Sequence, residues 1–160
     1  MTRKVYDIRG IQIGEGRPKI IVPIIERTEA MILEKAKSLL MLPVDVVEWR
    51  ADAFDEIMDH EKVMGVLVAL RALFPDKVLI FSFRVFDEGG QREIDLETYT
   101  TLNQFAAQSG FVDLVDVALI SWAEIAAVNI SNIHNAKVLV MGSYHDFKST
   151  PEKEVLIRTL

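Results

Sequence analysis

The sequence predicts an α/β fold organised around parallel strands, and three observations carry that prediction. Five apolar, β-rich runs recur along the chain, and segments of helical periodicity separate them. The runs are apolar nearly throughout instead of alternating, as in parallel sheets that helices cover. In three of the runs one face turns polar only toward the C-terminal end, where parallel sheets gather their ligands.

The elements follow in order. KIIVPII at 19–25 is the first run, and TEAMILEKAKSLL after it has helical spacing, with Thr28 ahead of Glu29 as an N-cap. VDVVEWRAD at 44–52 is the second run, followed by the helical DEIMDHEKVMGVLVALRALF. KVLIFSFR at 77–84 leads through FRVFDEGGQ, where Gly89 and Gly90 suit a turn at positive φ, into IDLETYTTLNQFAAQS. FVDLVDVAL at 111–119 precedes WAEIAAVNISNIHN, with Ser121 before Trp122 and Glu124 at the third helical position, a capping-box spacing. KVLVMGSYH at 137–145 is the fifth run. In STPEKEVLIRTL, Ser149 or Thr150 is placed to cap a last helix with Pro151 in its first turn. The runs start 25 to 34 residues apart, at 19, 44, 77, 111 and 137, which is the size of a βα unit. With no linker or low-complexity tract, the expectation is a single domain over 1–160.

Composition narrows the function classes. The 160 residues are 50% hydrophobic and 26% charged, the balance of a soluble globular protein with one sizeable core. Against 24 acidic residues stand 18 Lys and Arg, and the net charge of −6 argues against nucleic acid as a partner. Without cysteine there is neither a disulfide framework nor a thiolate metal site, and no histidine–carboxylate spacing suggests a metal. The opening MTRKVYDIRG lacks the apolar run of a signal peptide, and no stretch approaches the ~20 apolar residues of a membrane span. The expected setting is the cytoplasm.

Five strands permit two folds. A flavodoxin-like open sheet is complete at this length, whereas a (β/α)₈ barrel needs ~250 residues and would be cut after its fifth strand. Side chains two apart share a strand face. Val46, Glu48, Arg50 and Asp52 therefore lie together, as do Ile80, Ser82 and Arg84, and Met141, Ser143 and His145. The group so assembled is Glu48, Arg50, Arg84 and His145, with Glu88 following in the 84–91 loop. Two arginines bind oxyanions or hydroxyls in a fixed fork, and a histidine takes and returns a proton near neutrality. Together they fit proton transfer on a small, oxygen-rich anion. An intrastrand Glu48–Arg50 ion pair with a structural role is the competing reading. His60 and His134 sit in helical segments as surface or packing residues, and GEG at 14–16 lacks the strand and helix of a phosphate loop.

EWRAD (48–52), FSFRVFDEGG (81–90) and SYHDFKSTP (143–151), with GEGRPKIIVPI (14–24) ahead of them, resemble in order and spacing the motifs of type I 3-dehydroquinases. The resemblance covers essentially this whole chain but only the first two-thirds of the family's. It implies a (β/α)₈ TIM barrel, here an incomplete barrel of about five parallel strands with covering helices, and commonly a homodimer. The implied reaction is the dehydration of 3-dehydroquinate to 3-dehydroshikimate in the shikimate pathway, with no metal or nucleotide cofactor. A lysine forms a Schiff base with the substrate ketone, and a histidine removes the adjacent proton and protonates the departing hydroxyl. Carried over by motif, His145 is that acid–base, Glu88 supports it, and Glu48, Arg50 and Arg84 hold substrate oxygens.

The chain departs from the family in two ways. The Schiff-base lysine belongs to a sixth strand, beyond Leu160, and a carboxylate-binding arginine lies later still. Ala118 stands where the family pattern has a glutamate two residues after the aspartate, here Asp116. Neither Lys137 nor Lys148 matches the nucleophile's position, although Lys148 lies near enough to His145 to be a substitute. A catalytically inactive relative that binds the substrate or a partner without turnover is the alternative. A barrel cut after five strands exposes two sheet edges and an apolar interior, so a homodimer or another edge-covering oligomer is expected.

Overall fold

The structure, a computed structural model, describes residues 4–159. Each apolar run becomes a strand lying within its expected bounds: β3 (Ile21–Ile24), β4 (Val46–Arg50), β5 (Val78–Ser82), β6 (Leu114–Ala118) and β7 (Leu139–Ser143). Helices α1 (Glu29–Leu39), α2 (His60–Leu73), α3 (Leu96–Gln108) and α4 (Ala123–Asn135) connect them, and α5 (Lys153–Thr159) follows β7. The strands pair in parallel in chain order, β3-β4-β5-β6-β7. A flavodoxin-like sheet reverses direction at a switch point. This sheet never does, so its winding is that of a barrel wall.

Burial confirms the two-faced design. Val47, Trp49, Leu79, Phe81, Val115 and Val117 point outward into one core with the helices. Trp49 anchors that layer, fully buried and edge-on to Phe54 at 5.9 Å and to Phe81 at 5.6 Å. On the opposite, concave face Val46, Val78 and Ile80 form a separate apolar cluster with Leu114 and Met141.

A short hairpin, unannounced in the sequence reading, closes the lower end of that face. β1 (Tyr6–Ile8) and β2 (Ile11–Ile13) pair antiparallel through Arg9 and Gly10, whose φ values of 55° and 78° suit a two-residue turn. Ile8, Ile11 and Ile13 pack onto the concave cluster. Arg9 Nε donates to Asp113 Oδ1 at 2.8 Å, and Arg71 Nη2 donates to the other oxygen at 2.6 Å. Asp113 thus ties the hairpin to α2 at the foot of β6.

Three helix starts differ from expectation. The segment 55–59 forms turns, and α2 begins at His60, where Asp59 accepts from the amides of Glu61 and Lys62. Asp59 satisfies two orphan amides that the earlier start would leave open. Thr28 does cap α1, but Ser121 does not cap α4, whose N-cap position is held by Trp122 without a side-chain bond. Pro151 lies outside α5, which starts at Lys153, and Ser149 is drawn back to Asp146 by bonds from its amide and hydroxyl.

Candidate active site

The C-terminal ends of β4 and β5 carry the first half of the site. Arg50, the last residue of β4, does not pair with Glu48. Its Nε and Nη2 donate to the two oxygens of Asp52 at 2.8 and 2.9 Å. Asp52 has left the strand for a tight turn over Ala51–Ala53 and is fully buried, which corrects its expected place on the Glu48 face. It also accepts from the amides of Arg84 at 3.3 Å and Gln91 at 2.9 Å. One carboxylate therefore orients an arginine fork and pins both ends of the 84–91 loop. Burial acts to lower the Arg50 guanidinium, but Asp52, helped by Glu48, outweighs it and holds the group above its ordinary value.

Glu48 faces Arg84 instead, with Oε1 3.7 Å from Nη2, and both side chains are nearly buried. That distance is an ion pair and not a hydrogen bond. Glu48 Oε1 and Arg84 Nε have no hydrogen-bond partner. Both atoms thus keep hydrogen-bonding capacity for a polar ligand. The competing structural ion pair is thus replaced by two others, Arg50–Asp52 and Arg84–Glu48.

The second half comes from β7 and the 84–91 loop. His145 lies just past β7, and its Nδ1 meets Glu88 Oε2 at 2.9 Å while its backbone amide donates to the same oxygen at 3.1 Å. Glu88 is 1% exposed, and its Oε1 accepts from Ser121 Oγ at 2.8 Å. Ser121 is therefore spent on Glu88, which is why it is missing from the helix cap. With Nδ1–H held by a carboxylate, Nε2 is the ring nitrogen left to exchange a proton, and Glu88 balances the charge the ring then gains.

The glycines of EGG work differently from each other. Gly89 supplies the expected positive φ, 83°, whereas Gly90 has an ordinary φ and is needed for close approach. A Cβ there would lie 2.0 Å from the Arg84 carbonyl oxygen. A Cβ on Gly89 would lie 2.8 Å from the Phe147 ring, which stacks parallel to His145.

Sequence reasoning missed Asp52, Ser121 and Asp116 as members of the site. Asp116 is 2% exposed on the concave face of β6, and its Oδ2 accepts from Ser82 Oγ at 3.0 Å. Burial pushes its carboxyl up, against the pull of Ser143, Arg84 and Ser82. Ala118, next on that face, is buried and adds no polar group. Among the described residues, no strand carries a lysine. Lys137 precedes β7 at the opposite end from His145, and Lys148 is exposed. His60 is exposed and stacks on Phe105, and His134 is exposed on α4.

The arrangement can orient an oxygen-rich anion between two arginines and offer it a carboxylate-steered imidazole. The model of the family described as type I 3-dehydroquinase matches residues 20–160. A 3-dehydroquinate dehydratase of Clostridioides difficile (strain 630) is 41% identical over all of this chain and 62% of its own. One from Bacillus subtilis (strain 168) is 39% identical over 98% of this chain and 61% of its own. Among solved structures, a Clostridium difficile type I 3-dehydroquinate dehydratase with covalently modified comenic acid superposes with a TM-score of 0.93. It is 39% identical, covering 98% of this chain and 62% of that one. A Geobacillus kaustophilus 3-dehydroquinate dehydratase gives a TM-score of 0.91 at 31% identity, over 97% of this chain and 60% of its own. The chain thus spans about 62% of the length of the Clostridioides relative.

Proposed function

We propose, for a chain that belongs to the type I 3-dehydroquinase family, that it works in the dehydration of 3-dehydroquinate to 3-dehydroshikimate, a lyase step of the shikimate pathway. One observation carries the proposal: His145 is held through Nδ1 and its amide by a buried Glu88, beside two arginines oriented by acids. His145 Nε2 takes the proton next to the substrate's carbonyl carbon and returns a proton to the departing hydroxyl, so that water leaves. Arg50, Arg84 and Glu48 hold the substrate's oxygens. Glu88 keeps the imidazole in one tautomer across both transfers.

The reaction draws on an imine between a lysine and the substrate ketone, which accepts the electron pair freed with the proton. The family resemblance puts that lysine on a sixth strand, outside residues 1–160, and Lys148 is turned to solvent. This chain's part is then substrate binding and acid–base chemistry. The proposed setting is the cytoplasm. The proposed assembly is a homodimer or another oligomer that covers the edges of β3 and β7, since Ile20 and Ile21 stand 43% and 46% exposed there.

Thermal melting with and without 3-dehydroquinate tests the site. Ligand should raise Tm by a few degrees, and Arg84→Ala should abolish the shift. No shift with either dehydroquinate or dehydroshikimate overturns the proposal. Borohydride reduction of the same mixture, read by intact mass, should leave the chain unmodified, and an adduct mapped to Lys148 would return the imine chemistry to this segment.

A further inference from the structure

Asp116 is a buried titratable group that the proposed chemistry does not use. It sits on the concave face at the floor of the site, among groups contributed by every neighbouring element. β4 and its end contribute Glu48 and Arg50, β5 and its end Ser82 and Arg84, β7 Ser143, and α3 the Tyr99 hydroxyl. Of its two oxygens, Oδ2 accepts from Ser82 Oγ, and Oδ1 makes no well-aligned hydrogen bond, although the Ser143 hydroxyl also pulls on the carboxyl. Arg84 lies within reach of the charges of both Glu48 and Asp116, yet its Nε is free and its contact with Glu48 is 3.7 Å long. A guanidinium between two carboxyl groups that it does not grip has donors to spare.

The charges around the floor already cancel in pairs. Asp52 answers Arg50, and Glu48 answers Arg84. An ionised Asp116 would add an unbalanced negative charge in an enclosed place and would draw Arg84 down toward it. It would also repel an incoming anion. A neutral Asp116 does neither.

We propose that Asp116 is a positioning residue for Arg84: it keeps its proton while the site takes an anionic, oxygen-rich ligand, so that the free guanidinium N–H groups go to the ligand and not to the floor. The inference rests on the function proposed above and concerns the same site. Burial raises the Asp116 carboxyl, the direction this role needs. The sign follows: ligand binding is strongest where Asp116 is protonated and weakens as pH rises through its raised pKa, because ionisation in the free protein competes with binding.

Calorimetric titration with 3-dehydroquinate across a pH series, on the wild-type chain and on Asp116→Asn, tests this. Wild-type Kd should weaken by about tenfold from the acidic to the alkaline end, an ordinary size for two coupled sites. Asp116→Asn, isosteric and always neutral, should bind as tightly as the wild type at its acidic best, with a nearly flat profile. A purely structural Asp116 would not flatten that slope. A flat wild-type profile, or a wild-type slope kept in the variant and so owed to His145 or Glu88, overturns the inference while leaving the proposed function standing. Absence of binding at every pH overturns the function and the inference with it. Carboxyl ¹³C resonances of the wild-type protein, with Asp116 assigned by its loss in the variant, provide a reading that needs no binding and no variant stability. An Asp116 that titrates in the ordinary carboxylate range overturns the inference on its own.

Discussion

Asp52 shows how much one carboxylate can organise. It lies fully buried and receives both prongs of Arg50 and the amides at either end of the 84–91 loop. Asp55, only three residues on, pairs with Arg27 at a similar distance but stands 43% exposed in the side chain. Water screens the second pair and not the first, so the two should respond differently to loss of charge. Asp52→Asn leaves Arg50 buried without its hydrogen-bonded counter-charge and turns an amide donor toward other donors. It should cost about 3–5 kcal/mol in urea unfolding, whereas Asp55→Asn should cost about 0–1 kcal/mol. Equal unfolding midpoints for the two variants would remove Asp52 from its organising role.

At the scale of elements, the site depends on where chain segments stop. β4 ends at Arg50 and β7 at Ser143, so the residues just beyond them are free to turn into the mouth. At the other end the β1–β2 hairpin covers the concave face and is fastened by Arg9 to Asp113 and to the Pro75 carbonyl. Asp113 keeps Arg71 if Arg9 is lost, so Arg9→Ala should loosen the hairpin without unfolding the sheet. A cost of about 1 kcal/mol is expected, of the size of a partly exposed charged hydrogen bond. Amide exchange should quicken in residues 6–13 and stay unchanged in β5 and β6. Uniformly faster exchange across the sheet would show instead that the hairpin is part of one cooperative unit with it.

At the scale of the whole sheet, the described residues place five parallel strands in consecutive order, with β3 and β7 at its two ends and a concave apolar face between them. A cavity of about 300 Å³ opens on that face, lined by Tyr6, Ile8, Ile13, Val46, Val78 and Met141 among others. Unpaired edges and apolar concavities favour association. Sedimentation velocity across a wide concentration range should show reversible self-association, and Ile21→Lys at the β3 edge should shift it toward monomer. A strictly monomeric wild type at every concentration would count against the proposed oligomer.

Much of this was legible in the residues themselves. Continuous apolar runs at βα spacing announced parallel strands, because a strand covered on both faces has no need to alternate. Period-two counting placed Glu48, Arg84 and His145 toward one mouth, since side-chain direction along a strand is local geometry. Arg9–Gly10 between YDI and IQI was a hairpin signal that three-residue strands are too short to make plain. What the sequence by itself determined was the number and direction of the parallel strands and their polar ends. Only the tertiary structure decided the pairing of charges: Arg50 with Asp52, Glu48 with Arg84, Ser121 with Glu88 and not with its helix. It also decided that Asp116 is buried at the floor of the site. The reason is physical. Periodicity follows from bonds along one chain, whereas partners and desolvation depend on which segments meet across the sheet.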